Sequence, residues 1–386
     1  MASVLPTAAS PLEQAPLQVD LTPLPPMDLL ASLWRGLEAR ADRSFFLSWP
    51  WIGTWLESID CRPELLITRL DGEVVGLALV HARLKTRHRL LPVWTLYLHQ
   101  TGDDDQDVIT IEYNDVLADR RCRDRVRAAC MRFLVEHGAF GGREVGEVVL
   151  GGVDAALRGQ IEGLGRPVHE RAAAGSAVVD LSALRASGLP FLDSLKASTA
   201  RRIRRSIALY EERGKLELKA ASDVDEALDF FDRCGAMHQE RWTARGRPGA
   251  FAYPFFVAFH RRLIRAALPH GAVELVRIAA AGEPIGYLYN FIDRGRVYYY
   301  FSGFRFDDDN RLKPGLVSHA LCIDRHLERG MDAYDFMAGD QRYKLELGQP
   351  GARIVSLAVQ RPNWMLAAER PLRRLKQALS VARQRG

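Results

Sequence analysis

The sequence predicts an α/β (α+β) fold built twice over, two units in tandem, each a mixed, largely antiparallel twisted sheet flanked by helices. Three observations carry this. β-rich runs broken by short glycine turns occur in both halves of the 386 residues. An Asp-Gly between two such runs is a strong hairpin signal. Amphipathic helical runs follow those strands, and each leads into one more short strand. Finally, the pentapeptide GEVVG at 72–76 returns as GEPIG at 282–286, 210 residues on, in the same order of elements. Strand, turn, strand, strand, helix, strand is read twice, which points to a tandem duplication.

Taken in order, residues 1–27 hold six prolines and no periodic apolar pattern, so a disordered tail is expected. A first unit spans 28–185. It opens with helical spacing from Met27 and an aromatic run at 45–59, in which Trp51 and Trp55 share a helix face as core residues. Residues 64–85 read as a hairpin about Asp71–Gly72, and 93–98 as a further strand. Residues 103–107 read as a solvated acidic loop, 118–138 as a helix and 146–150 as a strand. A second unit spans 186–362. Residues 191–214 form its opening helix, and from Ser194 to Lys215 there are seven Lys/Arg against two Asp/Glu, the whole net charge of the chain in one segment. Helices over 222–246 and 250–271 precede a three-strand meander, 273–304, with turns at Gly282–Glu283 and Arg294–Gly295. A loop entering a helix (310–330), then a strand and loop (331–348), complete the unit. Residues 363–386 read as a basic C-terminal helix.

Composition narrows the function. Hydrophobic residues are 47% and charged residues 26%, which excludes a wholly disordered, collagen-like or small disulfide-stapled chain. The net charge of +5 is too small for binding nucleic acid over the whole surface. The five cysteines form no C-x-x-C pair, so reduced thiols in a cytoplasmic protein are expected. No apolar run is long enough to span a membrane, and residues 1–33 carry no Lys, Arg or His for a secretory or transit signal. No His/Cys/Asp/Glu group has metal-ligand spacing, so no metal is expected.

The loop Arg311-Leu312-Lys313-Pro314-Gly315-Leu316 enters a helix whose free N–H groups face the end of a parallel strand. That is a phosphate-site arrangement, with Arg311 and Lys313 adding cations and Gly315 permitting close approach. An ordinary helix start with solvated basic residues is the alternative.

Segments 194–214, 236–251, 282–291, 298–304, 311–330 and 334–347 together resemble the GNAT acyltransferase superfamily. Within it they resemble the CelD/BcsL-type proteins associated with cellulose biosynthesis, relatives of the Fem peptidyltransferases with duplicated GNAT folds. The resemblance implies that an acyl donor, acetyl-CoA or another acyl-CoA, lies along the strand 297–302 with its diphosphate on the loop. Tyr300, Ser302, Arg311, Lys313, Gly315, Leu316, Ser318 and His319 would then hold the donor. Acyl transfer to an amine needs a base near the strand ends, and His238, Glu240, Asp335 and Asp340 are the candidates. Each of the four also has a structural role open to it. Arg201, Arg205, Trp242, Tyr289, Asn290 and Lys344 are the candidates for holding an acceptor, by analogy an amino group on a sugar or glycan precursor. The loop departs from the usual GNAT pattern, keeping Gly315 alone. Two rivals therefore stand beside this reading: an aminoacyl-tRNA-dependent Fem-like transferase, which brings tRNA as a partner, and a non-catalytic module of a polysaccharide system.

Overall fold

The structure is a computed structural model that describes residues 15–87 and 91–361. The elements of the first half are β1 (Leu17–Pro23), α1 (Met27–Glu38), α2 (Trp49–Ser58), β2 (Glu64–Leu70), β3 (Glu73–Arg87), β4 (Leu91–Leu98), β5 (Leu117–Ala118), α3 (Arg123–Glu136), β6 (Ala139–Phe140), β7 (Arg143–Glu144), β8 (Glu147–Asp154), α4 (Ala156–Glu162) and β9 (Val168–Asp180). Then follow α5 (Leu181–Ser187), α6 (Phe191–Ser194), α7 (Ala197–Glu211), β10 (Leu216–Ala220), α8 (Val224–Thr243), α9 (Pro254–Ala267), β11 (Val273–Ala280), β12 (Glu283–Asp293), β13 (Arg296–Phe304), α10 (Pro314–Glu328), β14 (Ala333–Ala338), α11 (Arg342–Leu347) and β15 (Gln349–Gln360).

The repeat read from the sequence is present as structure. The β2–β3 hairpin turns at Asp71 and Gly72, with φ of 49° and 83°, and the β11–β12 hairpin turns at Ala281 and Gly282, with φ of 53° and 81°. Two successive positive φ values are what a two-residue hairpin demands, so the second turn falls one residue before the expected Gly282–Glu283. Each meander then crosses over through a helix to a parallel strand. β4 pairs with β8 after α3, and β13 pairs with β14 after α10.

The two sheets are one. The strand order is β1-β2-β3-β4-β8-β15-β9-β14-β13-β12-β11-β10, with β5 on β3. The last strand, β15, lies against β8 of the first half, while β9 lies against β14 of the second. A cut between residues 185 and 186 therefore divides the covalent chain but not the sheet, because β9 and β15 also pair with each other over most of their length.

Several sequence expectations are corrected here. The disordered tail does not extend to residue 27: Leu17–Pro23 pairs in full antiparallel register with β2, which supplies the partner that a proline-rich stretch lacks by itself. The expected 118–138 helix begins only at Arg123, because Leu117 and Ala118 pair with β3 and Asp119 is spent on Arg40 and Arg121. The 191–214 helix is broken at Leu195–Lys196, both extended. The acidic loop is not wholly solvated, since Asp107 accepts from the backbone of Thr101 and Gly102. Residues 363–386 lie outside the described residues. Among the described residues no helix is long and apolar enough to cross a membrane.

The largest core spans both halves. Phe45 stacks on Phe291 at 4.3 Å, and Trp51 packs edge-on against Phe259 and Phe291. Trp51 and Trp55 are buried, as a core stripe should be. Above this core sits a charge lock. Arg43 pairs with Asp293 at 2.6 Å and with Glu38, all three groups nearly buried. Removing one partner of such a cluster strands the others, which costs about 3–5 kcal/mol. Arg43→Ala should therefore lower the urea midpoint clearly, while exposed Arg342→Ala on α11 should leave it unchanged.

Candidate functional site

The site begins where two parallel strands part. β13 and β14 pair only through Arg296–Tyr298 and Ala333–Asp335. Three local features drive them apart. The β12–β13 register slips between Tyr289 and Asn290, which leaves Tyr300 as an unmatched bulge residue. Met337 on β14 adopts a left-handed φ of 59°. α8 presses on β13 at Gly303, where a Cβ would stand 2.2 Å from the Cys234 carbonyl.

The gap opens into a cavity of about 620 Å³. Tyr299–Phe304 and Phe336–Ala338 form its two edges, and Met237, His238, Arg241 and Trp242 of α8 form one wall. Arg245 and Arg247 come from the following turn and Tyr343 and Lys344 from α11. Val108, Thr110 and Glu112 come from the first half.

Charge inside this cavity is set by burial. Glu112 accepts from the Ala338 N–H at 2.7 Å. Burial pushes its carboxyl up to about 7, outweighing the Ala338 amide and Lys344, which hold it down. Lys344 Nζ donates to the carbonyls of Ala338 (2.7 Å) and Met337 (3.3 Å), and burial lowers its pKa. Gly339 makes room for it, since a Cβ there would lie 2.7 Å from Nζ. His238 stacks on Phe301 at 4.1 Å, and burial brings it down to about 4. It is neutral at pH 7, so its Nδ1–H donates to the Ser302 carbonyl at 3.3 Å and Nε2 is left as the acceptor. Burial also lowers Arg241, which lies over the Phe306 ring at 4.2 Å.

Of the four candidate bases, the structure brings only His238 to the cavity. Asp335 is fully buried, and its oxygens are taken by Tyr113 (3.0 and 2.9 Å), Arg296 (2.9 Å) and the Met337 amide (2.8 Å). It ties the first half to β14. Glu240 is exposed on the outer face of α8, and Asp340 is exposed and accepts from the Gly175 amide, both away from the cavity lining.

The acceptor candidates divide likewise. Trp242 and Lys344 line the cavity. Tyr289 and Asn290 are core residues, the first against His260 and the second donating to Cys322 Sγ. Arg201 and Arg205 are exposed on α7, outside the lining.

Among the donor candidates, Tyr300 and Ser302 line the slot, whereas the α10 turn lies outside its lining. The Phe304 ring sits on Gly315, 3.2 Å from where its Cβ would be. Ser206 Oγ of α7 accepts from the Lys313 amide at 2.8 Å. Arg311 is engaged by Asp309, Leu316 packs into the core, and Ser318 and His319 are fully buried. The expected diphosphate turn is thus partly covered, with Arg311 exposed and Lys313, Gly315 and Leu316 half-buried.

The groups the sequence reading passed over are Glu112, Arg241, Arg245 and Arg247. The three arginines had a visible signal, a cationic run that flanks Trp242 and closes on Pro248–Gly249. Glu112 had none, because it sits in a patternless stretch of the other half.

Fold and slot together resemble the architecture of GNAT domains. Residues 197–345, which contain both edges of the slot, match the family model of the acetyltransferase (GNAT) domain. No curated protein matches the chain in sequence. Among solved structures, FemX is similar at a TM-score of 0.56 and 11% identity, over 92% of this chain and 99% of that one. L-PGS from Bacillus licheniformis is similar at 0.51 and 12%, over 90% and 97%. The C-terminal DUF2156 domain of an Agrobacterium fabrum protein is similar at 0.51 and 12%, over 89% and 95%. The likeness runs through both halves and is one of fold.

The charge balance is testable in the protein alone. With carboxyl-labelled glutamate, a ¹³C resonance assigned by Glu112→Gln should titrate near pH 7. Lys344→Met removes a cation that favours the ionised form, so the midpoint should rise, by about one unit or more.

Proposed function

We propose that the chain is an N-acyltransferase that moves an acyl group from a coenzyme A thioester to an amine. The observation that carries this reading is the parted β13–β14 edge, with an aromatic slot along it and a carboxyl of near-neutral pKa at its end. An extended donor laid along β13 can pair with the backbone groups that β14 leaves unmatched. Arg241, Arg245 and Arg247 offer charge for its phosphates inside the cavity, which the α10 turn does not line.

The chemistry follows from those parts. The amine nitrogen attacks the thioester carbonyl carbon, and backbone N–H groups on the free edge of β13 meet the developing oxyanion. Glu112 takes the proton from nitrogen, the C–N bond forms, the C–S bond breaks and the thiolate leaves. Glu112 suits this task better than His238, because a base near 7 is half ionised at neutral pH, whereas a base near 4 has little affinity for the proton. The acceptor is proposed to be an amino group on a sugar or on a cell-envelope or exopolysaccharide precursor. The five free cysteines, four of them buried, support a reducing compartment, the cytoplasm.

One observation favours a second reading. The partly covered α10 turn and the exposed Arg201 and Arg205 suit an aminoacyl-tRNA donor, whose ester end would enter the same slot. Calorimetric titration separates the two. Saturable binding of acetyl-CoA, weakened about tenfold or more in Arg241→Ala, supports the thioester donor. Binding of charged tRNA alone, falling steeply with salt, moves the assignment to the second reading. Binding of neither leaves a non-catalytic module. In an acetyl-CoA assay with glucosamine as probe amine, Glu112→Gln should cut kcat about 100- to 10,000-fold. The wild-type rate should rise with pH and level off above about 7, because the base must be ionised.

A further inference from the structure

The first half contains the counterpart of the slot, and it is closed. β4 and β8 part after Tyr97–Val149, as β13 and β14 part after Tyr298–Asp335. In the first half the chain's own residues 110–114 fill the gap. The Asn114 amide N–H donates to the Gly152 carbonyl at 2.9 Å. Its side-chain Nδ2 donates to Leu98 of β4 (3.0 Å) and to Gly151 of β8 (2.9 Å), so one amide joins the two strands that parted. Both Nδ2 protons being used, Oδ1 is the acceptor for His99 Nδ1 at 2.8 Å, which places the His99 proton on Nδ1. His99 is buried beneath the edge of Trp34, and burial brings it down to about 4, so it stays neutral. The fit is close: at Gly152, φ +69°, a Cβ would stand 2.0 Å from the Ile111 carbonyl oxygen. Thr110 and Tyr113 are held left-handed on either side of Glu112.

From this plug two side chains cross the seam. Tyr113 reaches Asp335, and Glu112 reaches the Ala338 amide at the end of β14. Residues 112–114 thus have one end in each slot.

We propose that the first slot has become a mount: it takes no donor, and the plug that fills it positions Glu112 as the base of the second slot, with Asn114 and His99 as positioning residues. This rests on the reading of Glu112 given above. The groups that face Glu112 are Lys344 of α11, Asp335 of β14, Tyr300 of β13 and its own neighbour Tyr113, with His238 and Arg241 of α8 along the same cavity. The plug sets the distance of Glu112 from each of them.

Two measurements test the mount. The first is the Glu112 carboxyl titration by ¹³C NMR on the full chain without ligand. Asn114→Ala, which frees the plug, should move the midpoint from near 7 by about one unit or more toward the ordinary carboxylate range. His99→Phe keeps an aromatic ring and removes the bond to Oδ1, and it should move the midpoint the same way. It carries the test should Asn114→Ala fail to fold. An unmoved midpoint in a folded variant overturns the proposal. The second is the stoichiometry of acetyl-CoA by calorimetry. One site per chain is expected, with its Kd within about twofold in Asn114→Ala, and two sites would overturn the closed first slot. No binding would sink the thioester donor instead, and the carboxyl titration would still decide the mount.

Discussion

Three residue pairs hold β13 to β14, and the rest of the molecule is arranged around the point where that pairing stops. Unpaired strand edges inside a protein carry orphaned N–H and C=O groups, which are costly unless something meets them. Here the edge is kept open by a bulge at Tyr300, a left-handed Met337 and a glycine at 303 that lets α8 approach. At the last pair, Asp335 gathers Tyr113, Arg296 and the Met337 amide, so the fork is pinned by a fully satisfied buried carboxylate. The same feature that makes Asp335 useful as a pin removes it as a base, since its lone pairs are already taken.

Burial, more than ion pairing, decides protonation in the slot. For Glu112, Lys344, His238 and Arg241 the largest influence is the loss of water, and it moves each toward its neutral form. The outcome differs by residue. A histidine so treated is a poor base, whereas a carboxyl so treated becomes a good one at neutral pH. On the proposed chemistry, burial therefore favours Glu112 over His238 as the base.

What the sequence disclosed follows the range of the interactions involved. The hairpins at Asp71–Gly72 and Ala281–Gly282 are local, and a short turn signal was enough to place them within a residue. The parted strands were legible in outline, because meander, helix and parallel strand follow one another in the chain. Trp242, His238, Tyr300, Ser302 and Lys344 lie on segments next to that fork, and they do line it. The failures are long-range. Glu112 meets Ala338 across 226 positions and Tyr113 meets Asp335 across 222, and nothing in Ile111-Glu112-Tyr113-Asn114 marks it as part of a site. At the α10 turn, Phe304 lies against Gly315 and Ser206 takes the Lys313 amide, contacts that neither segment signals by itself.

The exchange of β9 and β15 bears on how such a slot can admit and enclose substrates. Two domains joined by a linker ordinarily hinge, because the interface between them is small and polar. In this chain the halves share one sheet. β15 lies between β8 and β9, the Phe45–Phe291 stack and the Arg43 lock bridge the core, and hinging would have to break strand pairs. The halves that carry Glu112 and β13 are therefore joined by strand pairing and not by a linker alone. That suits a base whose proton transfer depends on reach to within a hydrogen bond. Adjustment to a substrate is left to the pieces of the wall that pair with no strand, Arg245–Tyr253 after α8 and the short α11, and these pieces carry Arg245, Arg247 and Lys344.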